Sequence, residues 1–140
     1  MKKNIVAFMM LFAFLPFLVG MGALQGQSPE KIPMPKKKFT ATLIDQTDVI
    51  TELKDVSIEG ETFLEGNRGA GTIAVTFDKI REISFRYDGD KLKGIAVLTD
   101  GQTIELTLSK NQRAYGQTKY GTYQIKLSDL KKITLNKARQ

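Results

Sequence analysis

The densest group of side chains able to make specific contacts runs from Arg113 to Tyr123, where the chain reads Arg113-Ala114-Tyr115-Gly116-Gln117-Thr118-Lys119-Tyr120-Gly121-Thr122-Tyr123. Three of the four tyrosines fall here, mixed with Arg113, Gln117 and Lys119. Tyrosine offers rigid apolar area with a polar tip, which is why it is enriched at interfaces. Aromatic strips with basic neighbours also serve sugars and single-stranded nucleic acid. The candidate recognition surface is therefore Arg113, Tyr115, Lys119 and Tyr120. A plainer reading puts Tyr123 in the core, with Tyr115 and Tyr120 packing beside a loop.

Other constellations carry less. Gly66-Asn67-Arg68-Gly69-Ala70-Gly71 is glycine-rich, and such loops cradle phosphate when they feed a helix and end in Gly-Lys-Ser/Thr. Here no lysine follows and the next residues alternate like a strand, so the segment reads as a loop needing positive φ. Asp88-Gly89-Asp90 offers two carboxylates, whereas calcium takes six to eight oxygens; a turn is the better reading. Acids for glycoside hydrolysis can be drawn from Glu52, Asp55, Glu59, Glu61, Glu65, Asp78, Glu82 and Glu105, but the separation that sets the chemistry is not readable from spacing.

The chain has no Cys, no His and no Trp. Histidine-based nucleophilic catalysis, histidine-ligated metal, disulfides and iron–sulfur sites are therefore excluded. With no nucleophile motif either, the expectation is a non-enzymatic protein with no catalytic residues, cofactor or metal. At 140 residues it has room for one domain.

The elements that must position these residues are strands. After Phe39 there is no proline, and period-two alternation recurs between turn residues. Ile73, Val75 and Phe77 alternate with polar or small neighbours, as do Ile83, Phe85 and Tyr87, then Ile104, Leu106 and Leu108, then Tyr123, Ile125 and Leu127, and finally Ile133 and Leu135. One-sided alternation indicates antiparallel pairing. Asp88-Gly89 and Asp100-Gly101 predict type I′ hairpin turns, giving a meander over residues 82–108. A phase change from Val49, Thr51 and Leu53 to Val56 and Ile58 predicts a bulge near Lys54-Asp55.

The segment Gly71–Phe85 aligns without a gap on Gly121–Leu135, 50 residues later. Upstream, Leu43-Ile44-Asp45-Gln46 matches Leu98-Thr99-Asp100-Gly101 at an offset of 55. Each unit reads as strand, turn, strand, Gly-containing loop, Gly-Thr strand, short turn, strand. The short turns, capped by Asp78 and by Ser128-Asp129, are read as single 3₁₀ turns burying Ile80 and Leu130. The predicted fold is all-β: a small antiparallel sandwich or barrel of two tandem pseudo-symmetric units, residues 39–88 and 91–137 of a domain spanning 39–140.

The N-terminus reads as an export signal over residues 1–22. Lys2 and Lys3 precede an apolar run from Ile5 to Val19, then small residues, with Gly20 and Gly22 at the −3 and −1 positions. The competing reading is an uncleaved anchor from Ile5 to Leu24, long enough to span a bilayer; Pro16 interrupts that run and no basic stop-transfer cluster follows. Residues 23–38, with Pro29, Pro33, Pro35 and Lys36-Lys37-Lys38, read as an extended linker.

The functional expectation is an exported β-domain, in the periplasm, at the cell surface or outside the cell. It would bind another envelope protein, a surface polymer or itself. Membrane contact is expected only if the N-terminal segment stays attached. The alternatives are a carboxylate- and tyrosine-based enzyme acting on polysaccharide, or a weak electrostatic binder of anionic polymers. Without Lys2 and Lys3, 19 basic residues face 15 acids, too mild a field to indicate nucleic acid. Mass spectrometry of exported protein should find a chain starting near Ala23; an intact Met1–Gly22 segment would remove the cleaved-signal reading.

Overall fold

The computed structural model describes residues 32–136. The segment expected to be an export signal, residues 1–22, lies outside them. Residues 32–39 carry neither helix nor strand. They lie against the domain: the Pro33 side chain occupies the space a Cβ on Gly60 would need, and Lys37 makes an exposed ion pair with Asp78 at 3.2 Å.

Ten antiparallel strands form one sheet curled into a half-barrel. They are β1 (Thr40–Asp45), β2 (Ile50–Ile58), β3 (Phe63–Arg68), β4 (Gly71–Thr76), β5 (Ile80–Asp88), β6 (Lys91–Leu98), β7 (Thr103–Leu108), β8 (Arg113–Thr118), β9 (Gly121–Lys126) and β10 (Leu130–Asn136). Single 3₁₀ turns at Phe77–Lys79 and Leu127–Asp129 precede β5 and β10. They bury Phe77, Ile80, Leu127 and Leu130. Neither is closed by a side-chain cap, so the capping roles read for Asp78 and Ser128-Asp129 are not used. Burial of the apolar residues holds these turns.

The strand order is β4-β3-β7-β6-β5-β10-β1-β2-β8-β9. Exchanging the first five strands with the last five and reading from the other end returns the same order. The exchange axis passes between β5 and β10, where Ile83 faces Ile133, two positions 50 apart. The β3–β4 hairpin of the first half pairs with β7 of the second half. Reciprocally, the β8–β9 hairpin pairs with β2. Neither half completes its own sheet.

Each exchanged hairpin crosses its partner strand through a glycine. A Cβ on Gly66 would stand 2.8 Å from Leu106 Cβ, and one on Gly116 would stand 2.9 Å from Leu53 Cβ. Both distances are shorter than carbon atoms tolerate, so only glycine admits the contact. The expected Gly-containing loop is therefore a strand in each half. It escapes the alternation test because its inward position carries no side chain. Gly66 is needed for close approach; Gly69, in the β3–β4 turn, is the one at positive φ, +61°.

Other turns also depart from expectation. Between β5 and β6 the two loop residues are Gly89 and Asp90, and only Gly89 has positive φ. That is the pattern of a II′ turn, not the I′ turn expected of Asp88-Gly89. At the β6–β7 turn the Gly101 N–H donates to the Leu98 carbonyl and the Leu98 N–H to the Gln102 carbonyl. The β1–β2 turn repeats this, with Asp48 N–H to the Asp45 carbonyl and Asp45 N–H to the Val49 carbonyl. Gly101 and Asp48 both have positive φ; these are type I turns followed by a left-handed residue. They equate Asp45 with Leu98, an offset of 53 where the sequence suggested 55. A two-residue slip preserves the facing of every side chain in a strand, so alternation alone does not detect it.

The expected bulge is present: Asp55 has positive φ and the β2–β8 register shifts between Lys54 and Ser57. Of the expected core, Val75, Phe77, Ile83, Phe85, Leu106, Leu108, Leu127, Ile133 and Leu135 are buried; Ile73, Ile104 and Ile125 pack partly buried against them. Phe39 adds an edge-on contact to Phe77, centroids 5.6 Å apart. Val49, expected to face inward, is exposed.

Gly116→Ala should destabilise the protein by about 1–3 kcal/mol, the usual cost of forcing atoms into a filled core. In a Leu53→Ala background the same change should cost less, because Cδ1 at 2.8 Å and Cγ at 3.1 Å are gone while Cβ at 2.9 Å remains. Denaturant melts of the four proteins test this; additive costs would mean that the outer atoms of Leu53 take no part in the clash.

Candidate functional site

The structure separates the four candidate residues into two places. Arg113 opens β8, and its backbone N–H donates to Glu59 Oε1 at 2.7 Å. Tyr115 is partly exposed, opposite Ser57 of β2 and Gln124 of β9. Lys119 and Tyr120 are the two turn residues between β8 and β9. From Arg113 to the tip the strand spans about 17 Å at roughly 3.4 Å per residue, so these residues do not form one continuous patch.

The hairpin tip is held rigidly. Thr118 Oγ1 accepts the N–H groups of Tyr120 and Gly121, both at 3.0 Å, and donates to the Gly121 carbonyl at 2.8 Å. Lys119 Nζ lies 5.0 Å from the Tyr120 ring centroid, within cation–π range. Tyr120 is 87% exposed. The ring therefore adds nothing to the core, and the Thr118 bonds fix the backbone that carries it.

Beside this tip runs an open groove of about 950 Å³. One wall is the first half of β2, Ile50 to Lys54; the other is the hairpin tip, Gln117 to Tyr123. It exists because β8 joins β2 only from Lys54 onward, opposite Gln117. The Asp55 bulge lies just beyond that joining point. Thr40, Thr42 and Asn136 extend the lining. The lining mixes threonine hydroxyls, the Gln117 and Asn136 amides and two tyrosines with Ala41, Ile50 and Leu53, and its charges are Glu52, Lys54 and Lys119.

Tyr123, read from the sequence as core, has a double role. It packs against the core partly buried and also lines the groove. Burial pushes its phenol above the ordinary value of 10.0; a hydrogen bond with Thr51 opposes that, and the Asp45 charge adds to it. Asp45 holds the turn that leads into β2. Its Oδ1 accepts the Thr47 hydroxyl at 2.6 Å and the N–H groups of Thr47 and Val49 at 2.8 and 3.0 Å. Those bonds, the Thr47 hydroxyl first, hold its carboxyl below the ordinary 3.8.

The pseudo-symmetry supplies an internal comparison. The equivalent junction lies between β7 and the β3–β4 tip, where Asn67 opposite Thr107 is the sole pairing of β3 with β7. There Ala70 stands for Tyr120, Gly69 for Lys119, Thr103 for Ile50 and Gln102 for Val49. The strand pairing is the same but the side chains differ: this junction has an exposed tyrosine tip and the Val49-Ile50 pair, while the other has Ile104 for Thr51 and Ile73 for Tyr123, both partly buried.

The remaining candidates are dispersed. Gly66–Gly71 forms a hairpin, and Asp88-Gly89-Asp90 forms the β5–β6 turn. Glu82 pairs with Lys132 at 2.6 Å, Glu105 with Arg86 at 3.1 Å and Asp78 with Lys37. Among the described residues no group of three or more Asp or Glu is placed to hold a metal ion. What the sequence reading missed is the β2 wall. Its one signal was Ile50, apolar and out of phase with Leu53.

The model of a protein family described as "Uncharacterised protein" matches residues 35–138. No curated protein and no solved structure matches the chain.

The two perturbed groups make opposite pH predictions. A depressed carboxyl stabilises the β1–β2 turn above the ordinary carboxylate range, and that contribution is lost as pH falls through the lower folded value. A raised phenol contributes stability below 10.0 that is lost as pH rises through the higher folded value. NMR titration should find Asp45 titrating below 3.8 and Tyr123 above 10.0. Thr51→Val should move Tyr123 further up by removing the bond that favours the phenolate.

Proposed function

We propose that the chain, which belongs to that family, is an exported, non-enzymatic binding module of the cell envelope or extracellular space, and that it binds through the groove beside Tyr120. One observation carries this reading: an aromatic ring 87% exposed, fixed on a braced hairpin tip above a groove, where the equivalent position in the other half is an alanine. Fold requirements are met by both halves. What one half adds beyond them serves something else.

The chemistry of the groove supports binding over hydrolysis. Glycoside hydrolysis takes two carboxyl groups flanking the scissile bond, and Glu52 is the single acid in the lining. Purely electrostatic capture of an anionic polymer is poorly supported, since Lys54 and Lys119 share the groove with Glu52.

The test is recovery of a binding partner from the protein's own envelope fraction by the tagged exported protein. A Lys119→Ala, Tyr120→Ala double variant should lose about fivefold or more of that recovery, the scale expected for removing an interface anchor worth about 1 kcal/mol or more. Tyr115→Ala, outside the groove, should leave recovery unchanged. The opposite result, with Tyr115 needed and the tip dispensable, would move the site to the outer face of β8.

A further inference from the structure

The wall formed by β2 is a strand with one side unused. On its other side β2 pairs with β1 from Ala41 opposite Leu53 to Ile44 opposite Ile50. The ladder is set by the Asp45 N–H to Val49 carbonyl bond. Antiparallel alternation then directs the N–H and C=O groups of Thr51 and Leu53 to β1, and those of Ile50 and Glu52 away from it. Away from β1 is the side where β8 joins at Lys54. Among the described residues no strand pairs with Ile50–Leu53 on that side, so these backbone groups face the groove.

Proteins normally blunt such edges with a covering element, charge, proline or short length. Here Glu52 is the one charge from Ile50 to Leu53. Val49 and Ile50 are 55% and 65% exposed beside the edge, and Tyr120 lines the same groove as Ile50. At the equivalent edge of β7 the corresponding residues are Gln102, Thr103 and Ala70. The β7 edge has Ile104 where β2 has Thr51, but the exposed Val49, Ile50 and Tyr120 have no apolar counterpart of similar size there.

We propose that the groove binds an extended segment of another polypeptide as an added strand on β2. The segment's backbone would bond to Ile50 and Glu52, and one of its apolar side chains would sit between Ile50 and Tyr120. This is strand addition, in which main-chain bonds supply affinity and side-chain pockets supply selectivity. With two cations and one acid in the lining, the segment is neutral or mildly acidic, with alternating apolar residues. The proposal rests on the binding-module reading and specifies its ligand. A glycan would use the same tyrosine and hydroxyls but has no need of the Ile50 and Glu52 amides.

The probes are a blocked eight-residue peptide of alternating threonine and valine with an aspartate at each end, two versions N-methylated on one or the other set of alternate amides, and cellohexaose. Each is titrated into the labelled exported protein and followed by NMR. The plain peptide should slow amide exchange at Ile50 and Glu52 by about tenfold or more at saturation and leave Thr103 and Glu105 unchanged. Methylation of one set should abolish binding and methylation of the other should not, because an added strand bonds along one edge only. Tyr120→Ala should weaken the peptide about fivefold or more. The proposal is overturned if the peptide does not bind, if both methylated versions bind alike, or if Thr103 and Glu105 respond equally. Cellohexaose binding in the groove without the peptide would overturn strand addition and keep the binding module.

Discussion

The two glycine crossings are the constraint on which the rest of this structure depends. Gly66 lies on Leu106 and Gly116 on Leu53, each backbone pressed against a leucine Cβ of the other half. Those contacts let the β3–β4 and β8–β9 hairpins leave their own halves and complete the opposite ones. Once the hairpins are exchanged, neither half has a sheet or a core alone. One hydrophobic cluster, from Phe39 to Leu135, serves both. Stability, sheet curvature and the junctions at β2 and β7 all follow from that crossing.

Two interlocked halves raise a question of pairing that the axis answers. Positions 82 and 132 are equivalent, and they carry Glu and Lys, joined at 2.6 Å. Two copies of either half would bring like charges together at that place. A partly exposed pair contributes little to stability, on the order of 0–1 kcal/mol. Its effect is on specificity: Glu82 lies opposite Thr134 and Lys132 opposite Ser84, so the two charges meet diagonally across the axis, where like charges would repel.

Symmetry also separates what the fold needs from what it carries. The 3₁₀ turns, the glycine crossings and the type I turns occur twice. The Lys119-Tyr120 tip, the exposed Val49-Ile50 pair and the Tyr123 hydroxyl beside Thr51 occur once, and all belong to the same junction. In a single-copy domain an exposed tyrosine is ordinary. Here the matching tip carries an alanine on a different turn, with Gly69 at φ +61° where neither Lys119 nor Tyr120 has positive φ.

Much of this was legible along the chain. Alternation identified most strands, the phase change after Leu53 marked the bulge, and the repeat of Gly71–Phe85 in Gly121–Leu135 marked matching turns. These signals are local, because side-chain facing and turn geometry are set by neighbouring residues. β3 and β8 were invisible for a physical reason: their inward glycines meet leucines more than 35 residues away in sequence for Gly66 and more than 60 away for Gly116, so the alternation that marks a strand is missing from them. The offset of 53 also escaped, since a slip by two leaves every facing intact. The Tyr-rich segment was visible as composition, but its division between a strand face and a hairpin tip was not. Which wall stands opposite Tyr120 depends on where β8 stops pairing with β2, and that is decided by strands from opposite halves meeting in space.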